Sequence, residues 1–242
     1  MQIQWTALLL GLVAAAANLC GGFIVVRRPW HPLYLRYFIA LGSGFMLAAS
    51  LLEMLPESYE LLGSQTAVWL LAGYLLIHFV EHTLTAHFHF GEETHKEEVS
   101  SSHRSDTVLI GLMIHTFMDG VSIATGFLIS DWLGWVLFLA VFMHKMPEGF
   151  AVSSVMLASG KSPRTALLAS LYLGLATLAG VLAMSPLSHY VAYTLPISAG
   201  VTLYVAASDL IPEVNREPGI RMAVVVFAGI LLLYCLKMLS PN

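Results

Sequence analysis

Residues 106–158 read DTVLIGLMIHTFMDGVSIATGFLISDWLGWVLFLAVFMHKMPEGFAVSSVMLA, two long apolar runs that meet at Ser130-Asp131. A helix needs about 20 mostly apolar residues to cross the ~30 Å hydrocarbon core of a bilayer, and each run exceeds that. Both are continuous in hydrophobicity, which excludes the roughly ten-residue alternating strands of a membrane β-barrel. The stretch therefore predicts two transmembrane helices, 106–130 and 132–158, joined by a tight turn.

The rest of the 242-residue chain has the same character. It is 57% hydrophobic and 11% charged, with a net charge of −4, whereas a soluble domain carries about 25% charged residues. That balance excludes a disordered protein, a nucleic-acid binder with a basic face and a disulfide-stapled secreted domain. Cys20 and Cys235 sit in apolar segments near opposite ends and say nothing of redox compartment. Six further spans are expected at 4–26, 32–54, 65–87, 165–185, 189–211 and 219–239. The fold class is an all-α polytopic membrane protein with eight transmembrane helices, and 1–242 forms a single transmembrane domain. The first run is expected to be a true span, because no Lys or Arg precedes it and Trp5 to Val26 outruns the 7–15 residues of a signal-peptide core.

Basic residues orient the spans. Arg27, Arg28 and Arg36 flank the first connection, Lys96 and Arg104 the third, Lys161 and Arg164 the fifth, Arg216 and Arg221 the seventh. Nine of the eleven basic residues thus lie on one side, which the positive-inside rule makes cytoplasmic. Both termini are then expected outside. The third connection is the only long one. Its His/Glu-rich part, at 88–105, includes His89, Glu92, Glu93, His95, Glu97, Glu98 and His103. Such a tract can collect divalent metal loosely, and it reads equally well as a solvated loop.

Ionisable groups at bilayer depth are costly and mark function. In the quoted stretch, His115 and Asp119 stand at i and i+4, as do His144 and Glu148, so each pair shares one helix face. At ~1.5 Å rise per residue, His115 lies about 22 Å and Asp119 about 16 Å below the outer end of their span, His144 about 18 Å and Glu148 about 24 Å below theirs. Four ligands from two antiparallel helices therefore converge near mid-membrane. Two imidazoles and two carboxylates suit Zn²⁺, and are also compatible with Fe²⁺, Mn²⁺, Co²⁺ or Cd²⁺. A lone intramembrane histidine such as His78 or His189 is ordinarily a packed polar residue; two matched pairs at one depth are not so explained.

HTFMDG and HKMPEGFAV resemble the two signature motifs of the ZIP (Zrt-, Irt-like protein) metal transporters. The resemblance covers the whole chain and implies eight spans, outside termini, a variable His-rich loop and metal movement toward the cytosol. It makes His115, Asp119, His144 and Glu148 primary-site ligands. The second-span text GFMLAASLLEMLPES is also similar to family text, and that implies Met46 as a further ligand, although a methionine in an apolar helix is usually packing. Relatives with a two-metal centre carry an Asn, an acidic or amide residue, and a Glu where this chain has Thr116, Lys145 and Thr177. An ammonium at Lys145 can supply the charge of a second cation, so one transported metal is expected.

Carboxylates at the span ends suggest entry and exit. Glu53 and Glu57 flank Pro56 at the outer end of the second span; Asp209 and Glu213 flank Pro212 at the inner end of the seventh, in text that resembles a family release segment. His78, Glu81 and His82 on the third span complete an expected exit relay. Helix-end capping is the ordinary alternative for each.

Protonation of His and carboxylate ligands would release metal, and alternating access would expose the site to each side in turn. Family resemblance implies an elevator-like motion of spans 1, 4, 5 and 6. The rival readings are a membrane-embedded zinc-dependent hydrolase and a metal-sensing receptor. No His-Glu-x-x-His string and no nucleophile setting is present, so no enzyme activity is expected. The expected partners are a divalent metal ion as substrate and the lipid bilayer, with no cofactor and no nucleic acid; a homodimer is compatible with the sequence. Plasma or inner membrane is the expected location.

Overall fold

The computed structural model describes residues 4–27, 32–84, 102–217 and 219–239, and the regular structure among them is helical throughout. Helix α1 is Trp5–Arg27 and α2 Pro32–Ala48; a π-helical turn, Ala49–Met54, leads to α3, Leu55–Leu62. After a 3₁₀ turn at Gly63–Gln65 come α4, Thr66–Leu84, then α5, Ser102–Ile129, and α6, Asp131–Ala158. Helix α7, Pro163–Leu187, passes through 3₁₀ Ser188–Tyr190 into α8, Val191–Tyr204. A second π turn, Val205–Leu210, precedes α9, Ile211–Asn215, and α10, Ile220–Leu239, ends the described chain. Most of the loop expected at 88–105, namely 88–101, lies outside the described residues.

Among the described residues, six stretches are long and apolar enough to cross a membrane: Trp5–Arg27, Tyr34–Thr83, Ser105–Ile129, Asp131–Ala158, Pro163–Asn215 and Ile220–Leu239. With their apolar side chains facing lipid, their backbone polar groups are satisfied inside each helix. Helix starts have local causes. Ser130 Oγ accepts from the Leu133 N–H at 3.2 Å to open α6, and Ser162 Oγ accepts from the Thr165 N–H at 3.2 Å to open α7, with Pro163 at the first position. Gly63, at φ 57°, and Gly160, at φ 82°, supply the left-handed backbone needed after α3 and α6.

Both π turns stand just before a proline, Pro56 or Pro212. Proline offers no N–H to the carbonyl four residues back and its ring crowds that carbonyl, so a locally widened helix absorbs the misfit. Each π turn also carries a buried carboxylate, Glu53 or Asp209.

Helices α1, α5, α6 and α7 pack mutually, while α2 pairs with α10 and α4 with α8; α5 meets α8 and α6 meets α2 across the seam between these groups. Small residues set the closest approaches. On α1 the buried stripe is Ala7, Gly11, Ala14, Asn18, Gly21 and Gly22. A Cβ at Gly149 would lie 1.9 Å from the Asn18 carbonyl oxygen, and one at Gly120 1.9 Å from that of Thr177. Both glycines directly follow a carboxylate of the quoted motifs, so the helices bearing these acids are clamped backbone to backbone against α1 and α7.

Candidate metal centre

The i, i+4 spacing on α5 and α6 puts His115, Asp119, His144 and Glu148 together as a buried group, with one potential ligand atom from each lying within 4.8 Å of all the others. Asp119 is its hub. Its Oδ2 is 3.2 Å from His115 Nε2 and 3.2 Å from His144 Nε2. The imidazole centroids are 5.6 Å apart. His144 is aimed by a 2.9 Å contact from Nδ1 to the Ala140 carbonyl, which leaves Nε2 facing the cluster. Such a set of nitrogen and oxygen donors can replace the hydration shell of a borderline divalent ion.

Lys145 turns inward and is fully buried. Its Nζ lies 2.5 Å from Asp119 Oδ2, 2.5 Å from Glu148 Oε2 and 3.4 Å from Thr116 Oγ1. Thr116 donates to Glu148 Oε1. An ammonium and a hydroxyl thus fill the side of the centre beside Glu148. Thr177 behaves otherwise: its hydroxyl donates to its own helix, to the Leu173 carbonyl at 3.3 Å, and its carbonyl faces Gly120. Met46 is buried in the apolar core that includes Val136 and Ala140 of α6.

The expected entry and exit residues divide. Glu53 accepts from the Trp132 indole N–H at 2.9 Å and pairs with Lys237 Nζ at 2.8 Å, so it joins the second π turn's counterpart, Ala49–Met54, to α6 and α10. Glu57 sits half-buried in the first turn of α3. Glu213 pairs with Arg36 at 3.9 Å and Arg216 at 3.1 Å. Asp209 is buried beside Glu81, and the Tyr204 hydroxyl donates to Glu81 Oε2 at 2.9 Å. His78 stacks 4.0 Å from His82 and 5.9 Å from the Tyr204 ring, and Tyr74 reaches Ser208 at 3.0 Å. Sequence reasoning missed Trp132, Tyr204 and Tyr74. Aromatics in apolar helices carry no spacing signal that sets a hydrogen-bonding one apart.

Comparison with known proteins agrees with this geometry. The family described as ZIP Zinc transporter matches residues 1–108 and 91–237. Zinc transporter ZIP4 of Homo sapiens is 33% identical over 112 residues, 45% of this chain and 17% of that protein. Zinc transporter ZIP13 of Pongo abelii is 24% identical over 208 residues, 78% of this chain and 60% of its own length. Zinc transporter ZIP9 of Micropogonias undulatus is 27% identical over 171 residues, 66% and 54% of the two chains. The chain spans less than two thirds of each of these relatives.

Proposed function

Because the chain belongs to the ZIP zinc transporter family, we propose that it carries a divalent cation, zinc foremost, across the membrane toward the cytosol through one site formed by His115, Asp119, His144 and Glu148. The observation that carries this reading is the convergence of those four buried donors within 4.8 Å. A buried cluster of this composition in lipid is expensive unless it serves an ion path. Family membership favours transport over the hydrolase and receptor readings. Flux into proteoliposomes, followed with an enclosed zinc-sensitive dye, tests it: wild type should exceed His144→Ala clearly, and equal background traces would refute transport.

We infer eight crossings. Tyr34–Thr83 and Pro163–Asn215 run 50 and 53 residues. At ~1.5 Å per residue each would be about 75–80 Å long if straight, more than twice the hydrocarbon core. Each contains a 3₁₀ break, at Gly63–Gln65 and Ser188–Tyr190, and counts as two crossings. With the basic residues on the odd connections, both termini lie outside. An elevator-like cycle would move α1, α5, α6 and α7, which hold the ligands, against α2, α4, α8 and α10. Glu53 and Glu57 would stand on the entry side, Asp209, Glu81, His78, His82 and Glu213 on the exit side, and Met46 would add a sulfur ligand from α2.

The ammonium of Lys145 between Asp119 and Glu148 supports a single transported metal, since it supplies the charge a second ion would bring. Purified protein with the loop histidines replaced should bind one ion tightly at the core, read by metal analysis; two tightly bound ions would contradict this.

A further inference from the structure

Two serines outside the metal centre have no use in the reading so far. Ser122 on α5 and Ser198 on α8 are buried, at 2% and 0% exposure, and the hydroxyl of each is without a hydrogen-bond partner. Ser58 and Ser185 share this state, whereas a helical serine can turn back onto its own helix. Ser43 does so onto the Ala40 carbonyl at 2.9 Å and Ser170 onto that of Leu167 at 2.9 Å. A buried hydroxyl left unsatisfied costs about 1–3 kcal/mol, so two in one place call for a ligand.

They are in one place. Helices α5 and α8 pack on each other across the seam between the two helix groups. Thr125 and Thr194 meet there through their hydroxyls at 3.2 Å, and Met118 packs on the cluster of Val201 and Tyr204. Thr125 pairs with the earlier residue of α8 and Met118 with the later ones, so the helices run antiparallel. Ser122 lies four residues after Met118 and three before Thr125. Ser198 lies four after Thr194 and three before Val201. The register therefore puts both residues at one level between these two contacts, and neither hydroxyl bonds the other. Ser122 is also three residues from Asp119, about 4.5 Å along the axis, and on the proposed topology it lies on the outer side.

We propose that Ser122 and Ser198 form a hydrated waypoint in the α5–α8 seam: they hold water there and pass a partly hydrated divalent cation to Asp119. Hard hydroxyl oxygens suit the hydration shell of such an ion but bind it weakly, as a residue on the way to a site must. The inference rests on the transport reading above.

Two measurements test it on the full-length protein. In the first, the Ser122→Ala/Ser198→Ala double variant, which keeps helix-forming residues at both positions, is compared with wild type, Ser122→Thr and His144→Ala for zinc flux into liposomes. The double variant should lower initial flux about fivefold, the size of one lost hydrogen bond, Ser122→Thr should retain it, and calorimetric zinc affinity in detergent should not change. Full flux in the double variant overturns the waypoint while wild type still exceeds His144→Ala; equality of wild type with His144→Ala instead refutes transport. The second measurement, radiolytic hydroxyl labelling, does not need flux. Buried side chains within a turn of Ser198, such as Leu195 and Val201, should be labelled in wild type and protected in the double variant; labelling at buried background in wild type overturns the waypoint.

Discussion

Two acidic pairs in this molecule, one fully buried and one partly so, are met by different partners. Asp119 and Glu148, on α5 and α6, are bridged by the Lys145 ammonium at 2.5 Å to each. Glu81 and Asp209, on α4 and the second π turn, lie beside each other, and Glu81 takes a hydroxyl from Tyr204. A buried ammonium bridges the first pair. The second pair is met instead by a phenol hydroxyl, that of Tyr204 on Glu81 Oε2. The first pair lies in the helix group that bears the histidines and the second in the group that frames it. On the transport proposed above, the first pair meets the divalent ion and the second does not.

The sharpest way to break that contrast is Lys145→Met. It leaves two carboxylates buried without their cation and should cost about 3–5 kcal/mol in metal-free protein. Thermal unfolding in detergent should show a lower midpoint, and added zinc should raise it more in the variant than in wild type, because the ion restores the missing positive charge. An unchanged zinc response would mean that the ammonium and the metal do not compete for the same oxygens. Asp119→Asn comes next. Its Oδ2 serves both imidazoles and the ammonium, and its loss should weaken zinc binding roughly a hundredfold, about 3 kcal/mol; calorimetry reads it directly, and near wild-type affinity would remove Asp119 from the ligand set. Tyr204→Phe should have the smallest effect, about 1 kcal/mol of stability from one hydrogen bond, with zinc affinity at the α5–α6 centre unchanged. A large loss of affinity in that variant would show the two acidic pairs to be coupled.

Much of this was legible in the chain itself. His115 and Asp119, and His144 and Glu148, were placed on helix faces and matched in depth by counting residues, and the structure brings those four together. The charge of Lys145 is legible in the sequence, and its reach to Asp119 on the other helix follows only from how α5 packs against α6. The π turns before Pro56 and Pro212 leave no mark in the sequence, since a widened turn has no hydrophobic period of its own. The exit residues were grouped by their shared end of the membrane, and the structure divides them: Glu213 goes to Arg36 and Arg216, Asp209 to Glu81. Thr177, aligned as a second-site position, spends its hydroxyl on its own helix.

Sequence alone determined that the chain lives in lipid, which segments are helical and which donors share a helix face. Hydrophobic length and the 3.6-residue period act locally, and both can be read in one dimension. Only the tertiary structure decided which carboxylate receives the lysine, that Trp132 and Lys237 hold Glu53, and that Ser122 stands level with Ser198. Those contacts join residues from 26 to 184 positions apart, as with Lys145 and Asp119 or Lys237 and Glu53, and depend on the angle and register at which helices cross. Glycines at the crossings, Gly120 and Gly149 among them, set that register by letting one backbone rest on another.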